Sequence, residues 1–239
     1  MTRQYLVIGG TKGIGFHLTR RLLKQGHAVV AASRTPCDAE GFDNLAQGKL
    51  TLVAWDATKG EDFPQSVLPE ALHGLAYLPG NIRLKPFRSL RRAELIEDFE
   101  LNVLGAFQLI KQVFYRLNAG EGSCVFFSTV AVGQGMPFHV STATVKAALE
   151  GMTRSLAAEF ASSGVRFNAI APSLTDTPLA ATILSNEKRR QHIAERNPME
   201  KIGDPDQIAA MAQHLLSPDA AWITGQVIGI DGGMSTLRS

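Results

Sequence analysis

The sequence predicts an α/β fold, a single domain in which helices cover both faces of a doubly wound parallel β-sheet. Three observations predict it. Short runs that are apolar at nearly every position alternate with longer segments of helical pattern. A strand that is apolar at successive positions is buried on both faces, as strands are between two helix layers. The chain also has no Ser/Gly linker, low-complexity tract or fixed-period repeat, so residues 1–239 are expected to form one domain.

The order of the elements follows from these patterns. Seven runs are strand candidates: 4–9, 27–32, 50–55, 74–78, 124–128, 165–170 and 225–230. Five segments between them are helix candidates: 13–25, 61–72, 89–117, 140–162 and 205–216. Because Pro64 and Pro69 interrupt the second of these, a short or distorted helix is expected there.

Two longer stretches lack a regular pattern. Residues 35–49 are turn-rich, and residues 173–204, which follow the sixth strand, mix helical sequence with helix breakers. In sheets of this kind ligands bind beyond the carboxyl ends of the strands. The second stretch is therefore expected to form a lid over a substrate.

Net charge, cysteine content and the length of apolar segments limit the partners and the location to be expected. The net charge of +2 argues against nucleic acid or an anionic membrane as a partner. Cys37 and Cys124 lie far apart and are expected to be reduced thiols, and no metal site is predicted. The first ten residues contain only a five-residue apolar run, and no later segment approaches a membrane span. A cytoplasmic location is therefore expected.

A glycine-rich segment, GGTKGIG at residues 9–15, joins the first strand to the first helix. Gly9, Gly13 and Gly15 allow a tight turn and a close approach of the backbone to a ligand. The N–H groups and the dipole at a helix N-terminus favour anions, so this position predicts a site for the pyrophosphate of a dinucleotide.

From these residues onward the chain resembles the short-chain dehydrogenase/reductase (SDR) family over nearly its whole length. The family fingerprint T-G-x-x-x-G-x-G reads I-G-G-T-K-G-I-G here, with Ile8 in place of the leading threonine. Asp56, Asn102, Lys146 and the segments NAIAPSLTDTP and ITGQVIGIDGG follow in the family order. The resemblance implies a Rossmann-type sheet of about seven strands, a nicotinamide cofactor and a homodimer or homotetramer paired through the helices at 89–117 and 140–162.

Charge at the end of the second strand predicts which cofactor binds. NAD-binding sheets usually carry an acidic residue there, whereas this chain has Ser33 followed by Arg34. Arg34 and Lys12 can both pair with a 2′-phosphate, although many such cations are ordinary surface residues. NADP(H) is therefore predicted in preference to NAD(H). The cofactor-binding residues implied by the resemblance are Gly9, Thr11, Lys12, Gly13, Ile14, Gly15, Ser33, Arg34, Asp56, Ala57, Gly80, Lys146, Pro172, Thr175 and Thr177.

The resemblance also implies a catalytic set. In the family a tyrosine four residues before the lysine transfers a proton, and the lysine binds the ribose and lowers the tyrosine pKa. A serine positions the substrate oxygen, and an asparagine holds a water. Here Asn102 and Lys146 are retained, Thr129 takes the serine position beside Ser128, and Thr142 takes the tyrosine position.

Thr142 puts proton transfer in question, because an aliphatic alcohol cannot become a useful anion near neutral pH. General acid–base catalysis contributes roughly 10²–10⁴-fold, so its loss weakens carbonyl reduction without abolishing hydride transfer.

Three groups could replace the tyrosine as proton donor. The one we prefer is Lys146 acting through a water held by Asn102 and Thr142. The others are His139, for which a capping role competes, and Tyr77, for which a core role competes. The enoyl reductase pattern would need a tyrosine at 139.

Two functions from different classes remain. One is an NADP(H)-dependent oxidoreductase that reduces a carbonyl, including a 3-oxoacyl type, or an activated alkene of a small-molecule or acyl-carrier-linked substrate. The other is an NADP-binding pseudoenzyme that acts as a scaffold or partner subunit. A basic cluster would suit a phosphorylated carrier, although a solvated surface is the commoner explanation; its residues are Arg83, Lys85, Arg88, Arg91 and Arg92.

Overall fold

A computed structural model describes residues 2–35, 41–42, 45 and 48–237. Cys37 and much of the turn-rich stretch 35–49 lie outside the described residues. Seven parallel strands form one sheet in the order β3-β2-β1-β4-β5-β6-β7, which confirms the predicted fold class. The strands are β1 Gln4–Ile8, β2 Ala28–Ser33, β3 Leu50–Ala54, β4 Gly74–Tyr77, β5 Ser123–Phe127, β6 Arg166–Pro172 and β7 Val227–Ile230.

Within the described part of the chain, six α-helices accompany the strands. They are α1 Gly13–Lys24, α2 Arg92–Phe99, α3 Gly105–Ala119, α4 Val140–Phe160, α5 Glu187–Ala194 and α6 Pro205–Leu216. A π-helical turn, Glu100–Leu104, joins α2 to α3. No helix among the described residues is both long and apolar enough to cross a membrane.

Helices lie on both faces of the sheet because successive strand residues point to opposite sides. In β1, Leu6 and Ile8 belong to a core beneath α3 and α4, whereas Tyr5 and Val7 belong to a second core beneath α1 and α6. Each face of the strand is thus buried, as the continuous apolar runs predict.

At 61–72, where the sequence predicts a short or distorted helix, the structure contains very little helix. Only a short 3₁₀ turn, Gln65–Val67, forms there, after Pro64 and before Pro69. Side chains of α3 hold the segment instead: Gln112 accepts from the Phe63 N–H at 2.8 Å, and Arg116 donates to the Pro69 carbonyl at 2.6 Å. Prolines remove the donors that a helix needs, and tertiary contacts replace them.

The topology of the sheet determines where a ligand site is expected. Because all seven strands are parallel, their carboxyl ends share one edge, and the strand order reverses between β1 and β4. Ligands of doubly wound sheets bind in the crevice at such a switch point. The loops after β1, β2, β4, β5 and β6 meet there.

Candidate active site

A cavity of about 690 Å³ lies at the carboxyl ends of the strands. Most of the residues that the sequence predicts for the site line it. These are Gly9, Thr11, Lys12, Gly13, Ile14, Gly15, Ser33, Arg34, Ala57, Gly80, Thr129, Thr142, Lys146, Pro172, Thr175 and Thr177. Asp56 and Asn102 are the two that do not line it.

The glycine loop forms the floor at the β1 end. A side chain on Gly15 would overlap the carbonyl oxygen of Gly9, so the loop closes on itself only with glycine at this position. Gly13 adopts a φ of +52° and lies against Thr177 of the segment after β6. Lys12 begins α1 without a side-chain cap, so the helix directs uncapped N–H groups at the cavity.

At the end of β2 the lining is cationic. Ser33 donates to the Thr35 carbonyl at 2.6 Å, and the exposed side chains of Arg34 and Lys12 border the cavity. Asp56, predicted near the adenine, accepts from the Thr58 N–H at 3.0 Å and from the Thr58 hydroxyl at 2.8 Å. These hydrogen bonds, led by the backbone one, lower the pKa of Asp56.

The centre of the cavity contains a buried lysine. Lys146 is 7% exposed and makes no hydrogen bond to any described residue. Burial alone lowers its pKa to about 8, because desolvation disfavours the ammonium form. A Cβ on Gly80 would lie 3.1 Å from both Lys146 Nζ and Asn102 Oδ1, so the two polar groups flank this glycine.

Asn102 lies in the π-helical turn, directly behind the cavity wall. Its Nδ2 donates to the Asp98 carbonyl at 2.8 Å, whereas its Oδ1 is buried without a hydrogen-bond partner. Buried amide oxygens are rarely left unsatisfied, and π turns often occur at functional positions. This oxygen and the nearby Lys146 ammonium therefore form a complementary acceptor and donor.

The two threonines that the sequence resemblance assigns to the serine and tyrosine positions both line the cavity. Thr129 Oγ1 accepts from the Ala131 N–H at 3.3 Å, which leaves its O–H available to donate. Thr142 Oγ1 accepts from the Arg83 N–H at 3.4 Å. The neighbouring Ser128 donates to Glu150 at 2.6 Å, so its hydroxyl proton is already engaged.

None of the three tyrosines in the sequence lines the cavity. Tyr77 is 1% exposed, and its hydroxyl donates to the Leu101 carbonyl at 2.6 Å. Burial raises the pKa of Tyr77 well above its usual range, so it is a core residue rather than a proton donor. Tyr5 belongs to the core beside β1, and Tyr115 is exposed on α3.

His139 lines the cavity at the residue before α4. Its Nδ1 lies 2.8 Å from the Pro137 carbonyl. A carbonyl only accepts, so Nδ1 donates and Nε2 of the neutral ring remains an acceptor. The residue is half-buried at the cavity, which is compatible with both roles considered from the sequence.

An ionic network supports the wall behind Thr142. Arg83 Nε lies 3.0 Å from both oxygens of Asp98, a fully buried carboxylate that also accepts from Ser141 and Asn81. Arg83, Lys85 and Arg91 pair in addition with Glu94, and hydrogen bonds from Lys85 and then from Arg91 lower the pKa of Glu94. Three of the five cations in the predicted basic cluster are therefore paired within the protein.

The segment after β6, which the sequence predicts to be a lid, contributes residues to the cavity lining. It contains α5, and Asn197 ties it down by donating to the Asp231 carbonyl at 2.7 Å. The sequence did not single out several lining residues, which carry no local motif: Asn81, Met136, Leu179, Ile183, Ile193, Arg196, Lys201 and Met234.

Comparisons with known proteins identify the family. A family profile described as "Enoyl-(Acyl carrier protein) reductase" matches residues 9–235. The chain is 32% identical to tropinone reductase homolog At2g29290 of Arabidopsis thaliana, over 96% of this chain and 92% of that protein. It is 30% identical to dehydrogenase/reductase SDR family member 4 of Mus musculus, over 95% and 85%.

Solved structures agree with this assignment. A short-chain type dehydrogenase/reductase from Mycobacterium ulcerans superposes with a TM-score of 0.90 at 28% identity, covering 99% of this chain and 91% of that one. The Pseudomonas aeruginosa RhlG/NADP complex superposes with a TM-score of 0.86 at 26% identity, covering 98% and 96%. The chain belongs to the short-chain dehydrogenase/reductase family of oxidoreductases, which bind nicotinamide cofactors.

Proposed function

We propose that this protein is an NADP(H)-dependent reductase of a carbonyl, including a 3-oxoacyl type, or of an activated alkene, and that it delivers the proton without the family's active-site tyrosine. One observation carries the proposal. The cavity combines the glycine loop with its Lys12, the cation Arg34 at the end of β2 and a buried Lys146, whereas no tyrosine lines it. The cofactor, when bound, supplies the hydride.

The residues present fit that cofactor. The uncapped N-terminus of α1 suits the pyrophosphate, and Lys12 with Arg34 suits the 2′-phosphate because no described acidic side chain lines the cavity to repel it. Lys146 would bind the ribose, and Thr175 with Thr177 would hold the nicotinamide end. The NADP-bound RhlG structure supports the same preference by similarity.

Proton delivery is assigned to Lys146. A pKa of about 8 leaves most of the side chain protonated at pH 7 and makes it a stronger acid than an ordinary lysine. Thr142 is too short to fill the position of a phenol, so a water can connect Lys146, Asn102 and the substrate. Thr129 donates its O–H to the substrate oxygen, because its lone pair already accepts from Ala131.

The test begins with cofactor binding. At about 100 times its Kd, NADPH should raise the melting temperature by about 5–10 °C. NADH should raise it less. Carbonyl and enone substrates are then screened by the loss of NADPH absorbance, with Lys146→Ala as the inactive control. No stabilisation by either cofactor would refute the proposal.

Thr142 favours a second candidate, a pseudoenzyme that binds NADPH as a scaffold or partner subunit. It predicts the same thermal shift without turnover of any substrate. A Thr142→Tyr variant separates the candidates when compared with Thr142→Phe, which adds the ring without the hydroxyl. Carbonyl reduction that appears only in the tyrosine variant would favour the pseudoenzyme.

The assembly proposed with this function is a homodimer or homotetramer paired through α2, α3 and α4. Large apolar side chains remain exposed along the first two of these elements and the turn between them: Ile96, Leu104, Phe107 and Tyr115. Exposed apolar side chains on neighbouring helices are expected where subunits pair. Light scattering coupled to size exclusion tests it, and a monomer at micromolar concentration would contradict it.

A further inference from the structure

The described lining of the cavity carries charges of one sign. Its lysine and arginine side chains are Lys12, Arg34, Lys146, Arg196 and Lys201, and no described lining residue is Asp or Glu. The chain as a whole is nearly balanced, with 24 Lys and Arg against 22 Asp and Glu. A cleft lined by one sign of charge concentrates ligands of the opposite sign.

Two of these cations have no role in the proposed cofactor site. Arg196 and Lys201 come from the lid, in the stretch between α5 and α6. Both side chains are exposed, and neither forms a hydrogen bond or ion pair with another described residue. Arg190, on the same lid, is instead paired with Asp176. Contacts within the described part of the protein therefore do not explain why Arg196 and Lys201 line the cavity.

The same cavity also has an apolar wall. It includes Leu84, Met136, Leu179, Ile183 and Met234. Leu84 and Leu179 remain 44% and 54% exposed, so this wall presents apolar surface that a ligand can cover. An apolar wall and two cations within one cavity complement a molecule with an apolar body and an anionic head.

The backbone that carries the two cations is held in place. Asn197, 7% exposed, donates to the Asp231 carbonyl at 2.7 Å and accepts from the Met199 N–H at 3.0 Å. A side chain on Gly232 would overlap Asn197, so the turn after β7 and the lid fit closely. Such anchoring fixes where the flexible side chains of Arg196 and Lys201 begin.

We infer that the substrate carries an anionic head group, a carboxylate or a phosphate ester, on an apolar chain, and that Arg196 and Lys201 recognise this head group. The apolar wall holds the chain, and Lys146 lies where the reducible group would be placed. The inference rests on the proposed function for the reaction. Recognition of the head group is measurable without turnover.

The experiment is a calorimetric titration of the NADPH-saturated protein with octanoate, octyl phosphate and octan-1-ol. At least one anion should bind about tenfold more tightly than the alcohol, and the stronger of the two identifies the head group. The double variant Arg196→Gln/Lys201→Gln should lose that preference and keep its affinity for NADPH. Lys188→Gln, an exposed lid cation outside the cavity, should retain the preference.

Three results would overturn the inference: equal affinity for the anions and the alcohol, the same loss in Lys188→Gln, or loss of NADPH affinity in the double variant. The last result would assign the two cations to the cofactor. NADPH titration of the unaltered protein reports separately on the proposed function. If NADPH does not bind, the three titrations on the cofactor-free protein and its variants still decide whether the lid selects anions.

Discussion

The two ends of the cavity are built by different means. At the β1 end, backbone conformation makes the site, because Gly15 allows the close approach to Gly9 and α1 directs its N–H groups inward. At the β4 end, a pair of charged side chains supports the site, because Arg83 and Asp98 hold the segment beside Thr142. Backbone sites depend on glycine at few positions, whereas ionic sites depend on pairs of side chains that must be kept together.

The largest expected effect comes from disrupting the buried ionic network at the β4 end of the cavity. Arg83→Met leaves the buried Asp98 carboxylate without its guanidinium and should lower the free energy of unfolding by about 3–5 kcal/mol. Urea denaturation measures this. Arg91→Met removes an arginine whose side chain is 76% exposed and should cost less than about 1 kcal/mol. Equal losses in the two variants would contradict a structural role for the buried network.

The next largest effect comes from disrupting the glycine loop at the β1 end of the cavity. Gly15→Ala places a methyl group against the Gly9 carbonyl, so the loop must open and NADPH affinity should fall about 100-fold or more. Fluorescence titration with NADPH measures it. Gly151→Ala in α4 adds a methyl group in open space and should bind NADPH normally. Unchanged affinity in Gly15→Ala would show that the loop does not hold the cofactor.

A pH profile of kcat/KM tests the role of Lys146 at the centre of the cavity. If Lys146 donates the proton, kcat/KM should be highest below its pKa of about 8 and should fall as the ammonium deprotonates above that pH. Lys146→Arg keeps a charge that does not titrate in this range, so its slower reaction should not show that fall. A profile that stays flat across pH 8 in the parent protein would exclude Lys146 as the donor.

The smallest expected effect concerns cofactor choice. Arg34→Ala removes one of the two cations assigned to the 2′-phosphate, so the preference for NADPH over NADH should fall about tenfold. The ratio of the two dissociation constants measures it. Lys59→Ala, on an exposed turn outside the cavity, is the control and should keep the ratio. An unchanged ratio in Arg34→Ala would remove that residue from the cofactor site.

Sequence reasoning succeeds where the cause is local. The strands are readable because burial on both faces requires continuous apolar runs, and the glycine loop is readable because only glycine permits its contacts. It fails where the cause is tertiary. Segment 61–72 has helical composition, but its hydrogen bonds go to Gln112 and Arg116 on α3.

The candidate site divides in the same way. Motif positions place Lys146 and both threonines on the cavity wall, but nothing in the order of residues pairs Arg83 with Asp98 or brings Arg196 and Lys201 to the same cavity as the glycine loop. Asn102 is a further case, because it lies beside Lys146 across Gly80 and yet stays behind the wall. Long-range packing decides these features.

Tyr77 connects the core to the site through more than its own burial. Its hydroxyl donates to Leu101 inside the π-helical turn and lies 2.5 Å from where a Cβ on Gly105 would be. Residues 77 and 105 therefore constrain one another in redesign, because a side chain at 105 would meet the Tyr77 hydroxyl as well as Ala57. A substitution at Tyr77 is expected to reach Asn102, because the carbonyl that accepts from Tyr77 belongs to the same π-helical turn as Asn102.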